Sequence, residues 1–181
     1  MAAEFPTPSP VLTALLDEMR VAAVAPPESQ DELRRLAMLP RPWDPASCQF
    51  ELRNLIYIWL DDVVAWINEQ HTWRVDRVIP ICWAEHPHIV HELATVACLR
   101  WEAGYLVTPV GLELWQRLTL PSFLDRIAQR IGPTACPPGR HQPNPGSGRN
   151  ALYRDGNAIE LRRQRRTDDR ESATDVLDIR R

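Results

Sequence analysis

Three of the five histidines and two of the four cysteines lie in one stretch of the sequence, ICWAEHPHIVHELATVACLRWEAG, residues 81–104. Cysteine thiolates and histidine imidazoles are the usual protein ligands of zinc. Cys82 precedes His86 by four positions, and much further along the chain Cys136 precedes His141 by five. One interpretation is therefore a two-cysteine, two-histidine zinc site that ties the start of the C-terminal tail to the body of the protein.

The other interpretation gives the same stretch a purely structural role. Pro87 is typical of the first position of a helix, so His86 would cap that helix, and His88 and His91 would lie on its solvated side. The two cysteines of the stretch, Cys82 and Cys98, would then be small buried side chains. Neither half of the proposed ligand set has the C-x2-C spacing typical of zinc sites, which favours this structural interpretation.

A third interpretation is a metal-dependent enzyme that uses His86, His88 and His91. The sequence lacks the zinc-protease motif H-E-x-x-H, the phosphate-binding G-x-x-x-x-G-K-[ST] loop, the dinucleotide motif G-x-G-x-x-G and the G-x-S-x-G elbow. Asp61 and Asp62 are adjacent, so they point to different sides of a helix and make a poor acid–base pair. We therefore expect a non-enzymatic protein with no catalytic residues and no required cofactor, zinc being the alternative.

The basic residues suggest both an origin and a possible contact site. All 21 are arginine, which is typical of a GC-rich bacterial genome, and it excludes lysine-dependent chemistry. Acidic residues outnumber arginines in residues 1–104, whereas arginines are in excess in residues 137–181. Arg162, Arg163, Arg165 and Arg166 could contact nucleic acid or an acidic partner. The acidic sequence DDRE follows them, so a solvated charged helix is the other interpretation.

Periodicity and composition predict a mainly α fold, a single small helical domain with Pro-rich N-terminal linkers and a disordered C-terminal tail. Residues 1–47 would hold two helices capped by Ser9 and Ser29 and a Pro-rich linker, residues 48–136 the helical core, and residues 137–181 the flexible tail.

Apolar faces include Val11, Leu12 and Leu16 in the first helix. The predicted core helices comprise residues 49–70, with a stripe that begins at Phe50, residues 87–103 closed by Gly104, and two shorter helices that start at Pro109 and Pro121.

The seven tryptophans are better explained by packing than by nucleic-acid stacking. Trp59, Trp66 and Trp101 fall on apolar helical stripes, and the helices that carry most tryptophans lie in the acidic half of the chain. A base-stacking groove needs positive charge as well as aromatic rings. These residues therefore favour core and protein contacts.

The sequence gives no sign of secretion or of a membrane span. Its first ten residues, MAAEFPTPSP, lack the basic and apolar regions of a secretory signal. The longest apolar run, residues 55–67, is short and contains Asp61 and Asp62. We expect a cytoplasmic protein with free thiols or metal-bound cysteines rather than disulfides.

The motifs C-W-A-E-H-P-H-I-V, L-R-W-E, L-E-L-W-Q-R-L and G-P-T-A-C resemble a family of actinobacterial proteins of unknown function found on plasmids, phages and integrative elements. The resemblance covers roughly residues 50–141. The residues that carry it are Cys82, Trp83, His86, Pro87, Trp101, Glu102, Trp115, Gly132, Pro133 and Cys136. It implies no catalytic residues. It implies an accessory protein of a mobile element, and we expect that protein to act by protein–protein interaction; the alternative is a zinc-stabilised, DNA-associated protein that uses the Arg-rich tail.

Overall fold

A computed structural model describes residues 2–24, 29–131, 136, 140–142, 151 and 153–178, and the backbone alone for residues 169–178. The described residues are mainly helical and include no strand, which confirms the predicted fold class. Contacts divide the chain into two units, Met1–His141 and Gln142–Arg181. The expected N-terminal helices thus share a unit with the core helices.

The described part of the first unit contains six α-helices. They are α1 Pro10–Val24, α2 Gln30–Met38, α3 Phe50–Gln70, α4 Pro87–Ala103, α5 Val110–Leu114 and α6 Leu120–Ile131. The second unit contains α7, Gly156–Asp178. None of the described helices is long and apolar enough to cross a membrane.

Side-chain caps fix the starts of the first two helices where the sequence predicts them. The Ser9 hydroxyl accepts a hydrogen bond from the Leu12 amide at 3.4 Å, and the Ser29 hydroxyl accepts one from the Glu32 amide at 3.1 Å. The predicted apolar faces are less accurate. Val11 is 62% exposed because it lies about 100° around the helix from the buried Leu12, and Phe50 is 76% exposed because it lies in the first turn of α3, before the buried stripe begins.

The core forms mainly between α3 and α4. Both helices bury a continuous apolar stripe, and Trp59 and Trp66 are among the buried side chains, which confirms their predicted role in packing. Trp73 is different, since it is 96% exposed. The α4 helix ends before Gly104 as predicted, and Gly104 has a φ of −69°, in the right-handed region rather than the left-handed region that glycine caps commonly adopt.

The two shorter helices predicted after α4 are joined into one helical run. A π-helical stretch, Trp115–Thr119, connects α5 to α6 without a break. Pro121 has no amide hydrogen, and in a regular α-helix its ring would collide with the carbonyl of Arg117. The widened turn just before the proline relieves this conflict, so the chain passes through it as a helix. The predicted start at Pro121 agrees with the start of α6 at Leu120, but the sequence did not show that α6 continues from α5 through a π-helical stretch.

A carboxylate on α4 holds α6 alongside it. Glu92 accepts hydrogen bonds from Arg126 at 2.6 Å and from Arg130. Partial burial opposes ionisation of Glu92, but the hydrogen bonds and positive charges of the two arginines outweigh it and keep its pKa below the ordinary value. A group whose pKa is lowered by folding stabilises the folded state above its unfolded pKa, and this contribution disappears as the pH falls.

We predict that Glu92→Gln lowers the free energy of unfolding at pH 7 by about 1 kcal/mol, a value limited by solvent screening of the two half-exposed arginines. The difference from wild type should shrink as the pH is lowered through the acid range, because both proteins then carry an uncharged group at position 92. Urea unfolding at several pH values measures this. Glu113→Gln is the matched control, since it breaks an exposed pair with Arg117 and should change stability less. An equal effect of the two substitutions would contradict the role given to Glu92.

Candidate metal centre

A short turn in front of α4 carries the first pair of candidate ligands. Cys82 and His86 flank a 3-10 turn, Trp83–Glu85, which is closed by hydrogen bonds from the Glu85 amide to the Cys82 carbonyl at 2.9 Å and from the His86 amide to the Trp83 carbonyl at 3.1 Å. Because Cys82 and His86 lie at the two ends of one closed turn, their relative positions are restrained by the backbone.

Trp83 anchors this turn to α3. Its side chain is 3% exposed, its indole Nε1 donates a hydrogen bond to Asp61 Oδ1 at 2.9 Å, and its ring meets Tyr57 edge to face at 5.8 Å between centroids. Both partners belong to α3. The turn that presents Cys82 and His86 is therefore fixed to the longest helix of the core.

The second pair of candidate ligands comes from the chain after α6 and meets the first pair. Sγ of Cys136 lies 3.3 Å from Nε2 of His86, and Sγ of Cys82 lies 3.4 Å from the same nitrogen. The rings of His86 and His141 are 4.9 Å apart between centroids. One ligand atom from each of the four residues lies within 4.8 Å of the other three. We call these residues the four-ligand cluster; among the described residues, no other group of three or more metal-binding side chains is so arranged.

The spacing of the cluster fits a tetrahedral zinc ion. Zinc–sulfur bonds of about 2.3 Å and zinc–nitrogen bonds of about 2.0–2.1 Å place sulfur and nitrogen ligands about 3.5 Å apart in a tetrahedron. The two sulfur–nitrogen distances at His86 Nε2 agree with this value. Two sulfurs and two imidazoles are also a ligand set that structural zinc sites use. The structure thus brings together the four residues that the sequence suggested.

The electrostatics of the cluster suit a bound cation. Burial, together with the neighbouring Cys136 thiol, raises the pKa of Cys82 to about 11. Burial lowers the pKa of His86, with the charges of His141 and His88 acting in the same direction. Without a metal the cluster therefore favours a protonated Cys82 thiol and a neutral His86 imidazole. A divalent cation would supply the positive charge that a thiolate needs, and it would bind the neutral form of the histidine.

Two carboxylates that the sequence analysis did not assign support the cluster. Oε2 of Glu85 lies 3.3 Å from Nε2 of His141. Metal-bound histidines usually give their second ring N–H to a carboxylate, so Glu85 can orient His141 with its Nδ1 free to bind a metal. Asp61 acts one step further away, through Trp83. The sequence signal for Glu85 is its position between Cys82 and His86. Asp61 was named in the sequence only together with Asp62, as a poor acid–base pair.

The other histidines of the stretch do not join the cluster. Nε2 of His88 is buried without a hydrogen-bond partner in the described structure, and burial followed by the nearby Arg130 charge lowers its pKa. His91 is exposed, and its Nδ1 lies 3.7 Å from Asp44. The arrangement of His86, His88 and His91 required for the enzyme hypothesis is not formed.

The structural interpretation of the stretch is correct in part. Cys98 is 3% exposed, and burial raises its pKa to about 12, as expected for a packed, unreactive thiol. Cys82, however, is only partly buried. His86 occupies the position before the first residue of α4, but its side chain makes no capping hydrogen bond. Its nitrogen instead faces the two sulfurs of the cluster.

The four candidate arginines of the second unit, Arg162, Arg163, Arg165 and Arg166, lie on α7. Arg162 lies over the Tyr153 ring and donates a hydrogen bond to the Tyr153 carbonyl at 2.6 Å. Arg163 pairs with Glu160 at 3.2 Å. Arg165 and Arg166 are exposed. All four arginines thus lie within two turns of one helix.

Comparison with known proteins finds none that is similar to this chain. No protein-family model matches the sequence, and neither a curated protein nor a solved structure shows significant similarity to it.

We predict that only two of the four thiols react readily in the folded protein at alkaline pH after treatment with a chelator, because the raised pKa of Cys82 keeps its thiol protonated and slow to react at neutral pH. Cys48 and Cys98 are buried, whereas Cys82 and Cys136 are partly exposed. Titration with a thiol-specific disulfide reagent should therefore give about two fast equivalents in the native protein and four after denaturation. Replacing Cys82 and Cys136 by alanine should remove the fast phase. A fast phase that survives this double substitution would show that the core thiols are accessible.

Proposed function

We propose that this chain is a non-enzymatic, zinc-stabilised helical protein that acts by binding another protein, as an accessory factor of an actinobacterial mobile element. The observation that supports the metal is the convergence of Cys82, His86, Cys136 and His141, which come from two segments far apart in the sequence. His86 and Cys136 are separated by 50 positions. A chance meeting of four zinc-type ligands from such distant segments is a poor explanation of the geometry.

The number of ligands favours a structural metal. Structural zinc sites use four protein ligands, whereas catalytic zinc sites use three and leave one position open for water or substrate. The four-ligand cluster fills a tetrahedron with side chains from this chain. This supports a non-enzymatic role, in agreement with the absence of catalytic motifs from the sequence.

A metal in this place would join two parts of the first unit. Cys82 and His86 are fixed to α3 through Trp83, while Cys136 and His141 follow α6. The unfolded chain has no preformed site, so the metal binds the folded state preferentially and its binding free energy adds to stability. The metal would therefore hold the end of the first unit against the start of α4.

The surface supports a protein partner. Exposed apolar side chains follow one another from the end of α4 into the π-helical stretch: Tyr105, Leu106, Val107, Val110, Leu114 and Leu118, with Val107 fully exposed. Clustered apolar side chains on a surface are typical of protein interaction sites. The resemblance to proteins of mobile elements agrees with such an accessory role.

We predict that protein purified without a histidine tag contains about one zinc ion per chain. Cys136→Ala should lose this zinc, whereas Cys98→Ala, the same change at a buried thiol outside the cluster, should keep it. Elemental analysis measures the zinc, and cobalt substitution should give the absorption of a tetrahedral thiolate site. Chelation should lower Tm by about 10 °C in wild type and hardly at all in Cys136→Ala. Wild-type protein without metal, or zinc retained by Cys136→Ala, would refute the proposed site.

A second candidate function is DNA association through α7, where Arg162, Arg163, Arg165 and Arg166 lie close together on the helix. Among the described side chains, one ion pair, Arg163 with Glu160, neutralises this cluster. The remaining positive charge could contact phosphates without reading sequence.

If α7 binds DNA, we predict that changing these four arginines to glutamine weakens binding to duplex DNA at least tenfold at low salt. A plot of the logarithm of affinity against the logarithm of salt concentration should also have a shallower slope. Fluorescence anisotropy over a salt series measures both. Replacing Arg34, Arg35, Arg74 and Arg117 by glutamine is a charge-matched control on the first unit. Equal losses in the two proteins would assign the effect to net charge and not to α7.

A further inference from the structure

The first residues of the chain lie as an extended strap against α3. The strap, residues 2–8, has neither helix nor strand structure and leads directly into α1. Indole Nε1 of Trp66 donates a hydrogen bond to the Ala3 carbonyl at 3.0 Å, and indole Nε1 of Trp59 donates one to the Pro6 carbonyl at 3.0 Å. The Ala3 amide donates in turn to Oε1 of Gln70 at 3.1 Å. Three side chains of one helix therefore bind the backbone of the strap.

The spacing of these contacts matches a polyproline II helix. Trp59 and Trp66 are two α-helical turns apart, about 10.5 Å along α3. The carbonyls they bind are three residues apart, which is one turn of polyproline II, about 9.3 Å. Pro6 and Pro8 restrict residues 5–8 of the strap to this region, since proline fixes its own φ and keeps the preceding residue extended. The tryptophan pair therefore fits the repeat of the conformation that the strap sequence prefers.

A pocket between the two indoles holds the Phe5 side chain. The Phe5 ring packs edge to face against Trp66 at 5.1 Å and Trp59 at 6.3 Å, and the Arg100 guanidinium of α4 lies 5.0 Å from its centroid. Aromatic and cation–π contacts of this kind favour an aromatic side chain. We call Trp59, Trp66 and Gln70 of α3, together with Arg100, the strap groove.

The strap groove favours an occupant that accepts hydrogen bonds. With the strap in place, Trp59 is 2% exposed and Trp66 9% exposed, so the contacts between the indole N–H groups and the strap largely exclude water. A shielded N–H without an acceptor is unfavourable, and polyproline II carbonyls are free to accept because that helix has no internal hydrogen bonds. Aromatic grooves that bind proline-rich peptides in other proteins use the same combination of features.

We propose that the strap groove is a binding site for proline-rich segments with the pattern aromatic-Pro-x-Pro on a partner protein, and that residues 2–8 occupy it in cis as an internal competitor. This inference rests on the protein-binding role proposed above and names the partner's chemistry. A tethered segment reaches an effective concentration of about millimolar, so a partner must compete with the strap. Binding would then be weak in the intact chain and would increase when the strap is loosened.

The test uses the full chain with the strap weakened by Phe5→Ser, and a fluorescein-labelled peptide of residues 2–9, AAEFPTPS. We expect the peptide to bind Phe5→Ser at least tenfold more tightly than wild type in fluorescence anisotropy. The same peptide with serine in place of phenylalanine should not bind. Adding Trp59→Phe to the Phe5→Ser chain, which keeps a ring but removes the indole N–H, should weaken binding about tenfold. Far-UV circular dichroism and a cooperative thermal transition show that each variant is folded; if Phe5→Ser is not, Pro6→Gly, which keeps the phenyl ring but frees the backbone, replaces it.

Two results would overturn the proposal. One is a folded Phe5→Ser chain that binds the peptide no better than wild type does. The other is a wild-type chain that dimerises with concentration while Phe5→Ser stays monomeric, since the strap would then be exchanged between two copies rather than displaced by a partner. Zinc content is measured on the same samples. A failure of the metal site is therefore recognised separately from a failure of the strap groove.

Discussion

The burial of one indole, that of Trp83, fixes the part of the molecule on which the candidate site depends. Its hydrogen bond to Asp61 and its edge contact with Tyr57 attach the turn before α4 to α3. Burial of an aromatic side chain with its polar atom satisfied is one of the stronger local restraints that a small helical protein can use. The start of α4 and the ligands Cys82 and His86 are therefore positioned by the core itself, without any contribution from a metal.

The other pair of ligands depends on how α6 is placed against α4. Arg126 and Arg130 on α6 both bind Glu92 on α4, while Trp115, in the π-helical stretch, donates a hydrogen bond to the Val96 carbonyl at 2.9 Å. These contacts direct the end of α6 toward the turn that carries the first pair. Cys136 follows Ile131 by five positions, so even an extended chain limits the distance between them to about 18 Å. The meeting of the four ligands is thus a consequence of helix packing.

Local signals in the sequence predicted the helices well, because each depends on neighbouring residues. Ser9 and Ser29 cap nearby amides, and Pro87 begins α4. The four candidate ligands could be named from residue type and spacing, but their convergence required the packing of α6 on α4. The π-helical stretch was missed because it is a compromise between Pro121 and the burial of Trp115. The strap was missed because a short proline-rich segment has no periodicity, and its partners lie more than 50 positions away.

The geometry of α3 explains how one helix can support the four-ligand cluster and the strap groove on separate faces. At 100° per residue, Tyr57 and Asp61, which hold the turn of the metal site, lie roughly opposite Trp59, Trp66 and Gln70, which hold the strap. The fully buried stripe of α3, Ile56, Leu60, Val63 and Ile67, runs between these two faces. A well-packed stripe of this kind has one low-energy arrangement, so a local change on one face has no second arrangement to transmit to the other. The metal site and the strap groove should therefore behave as independent sites on a common rigid helix.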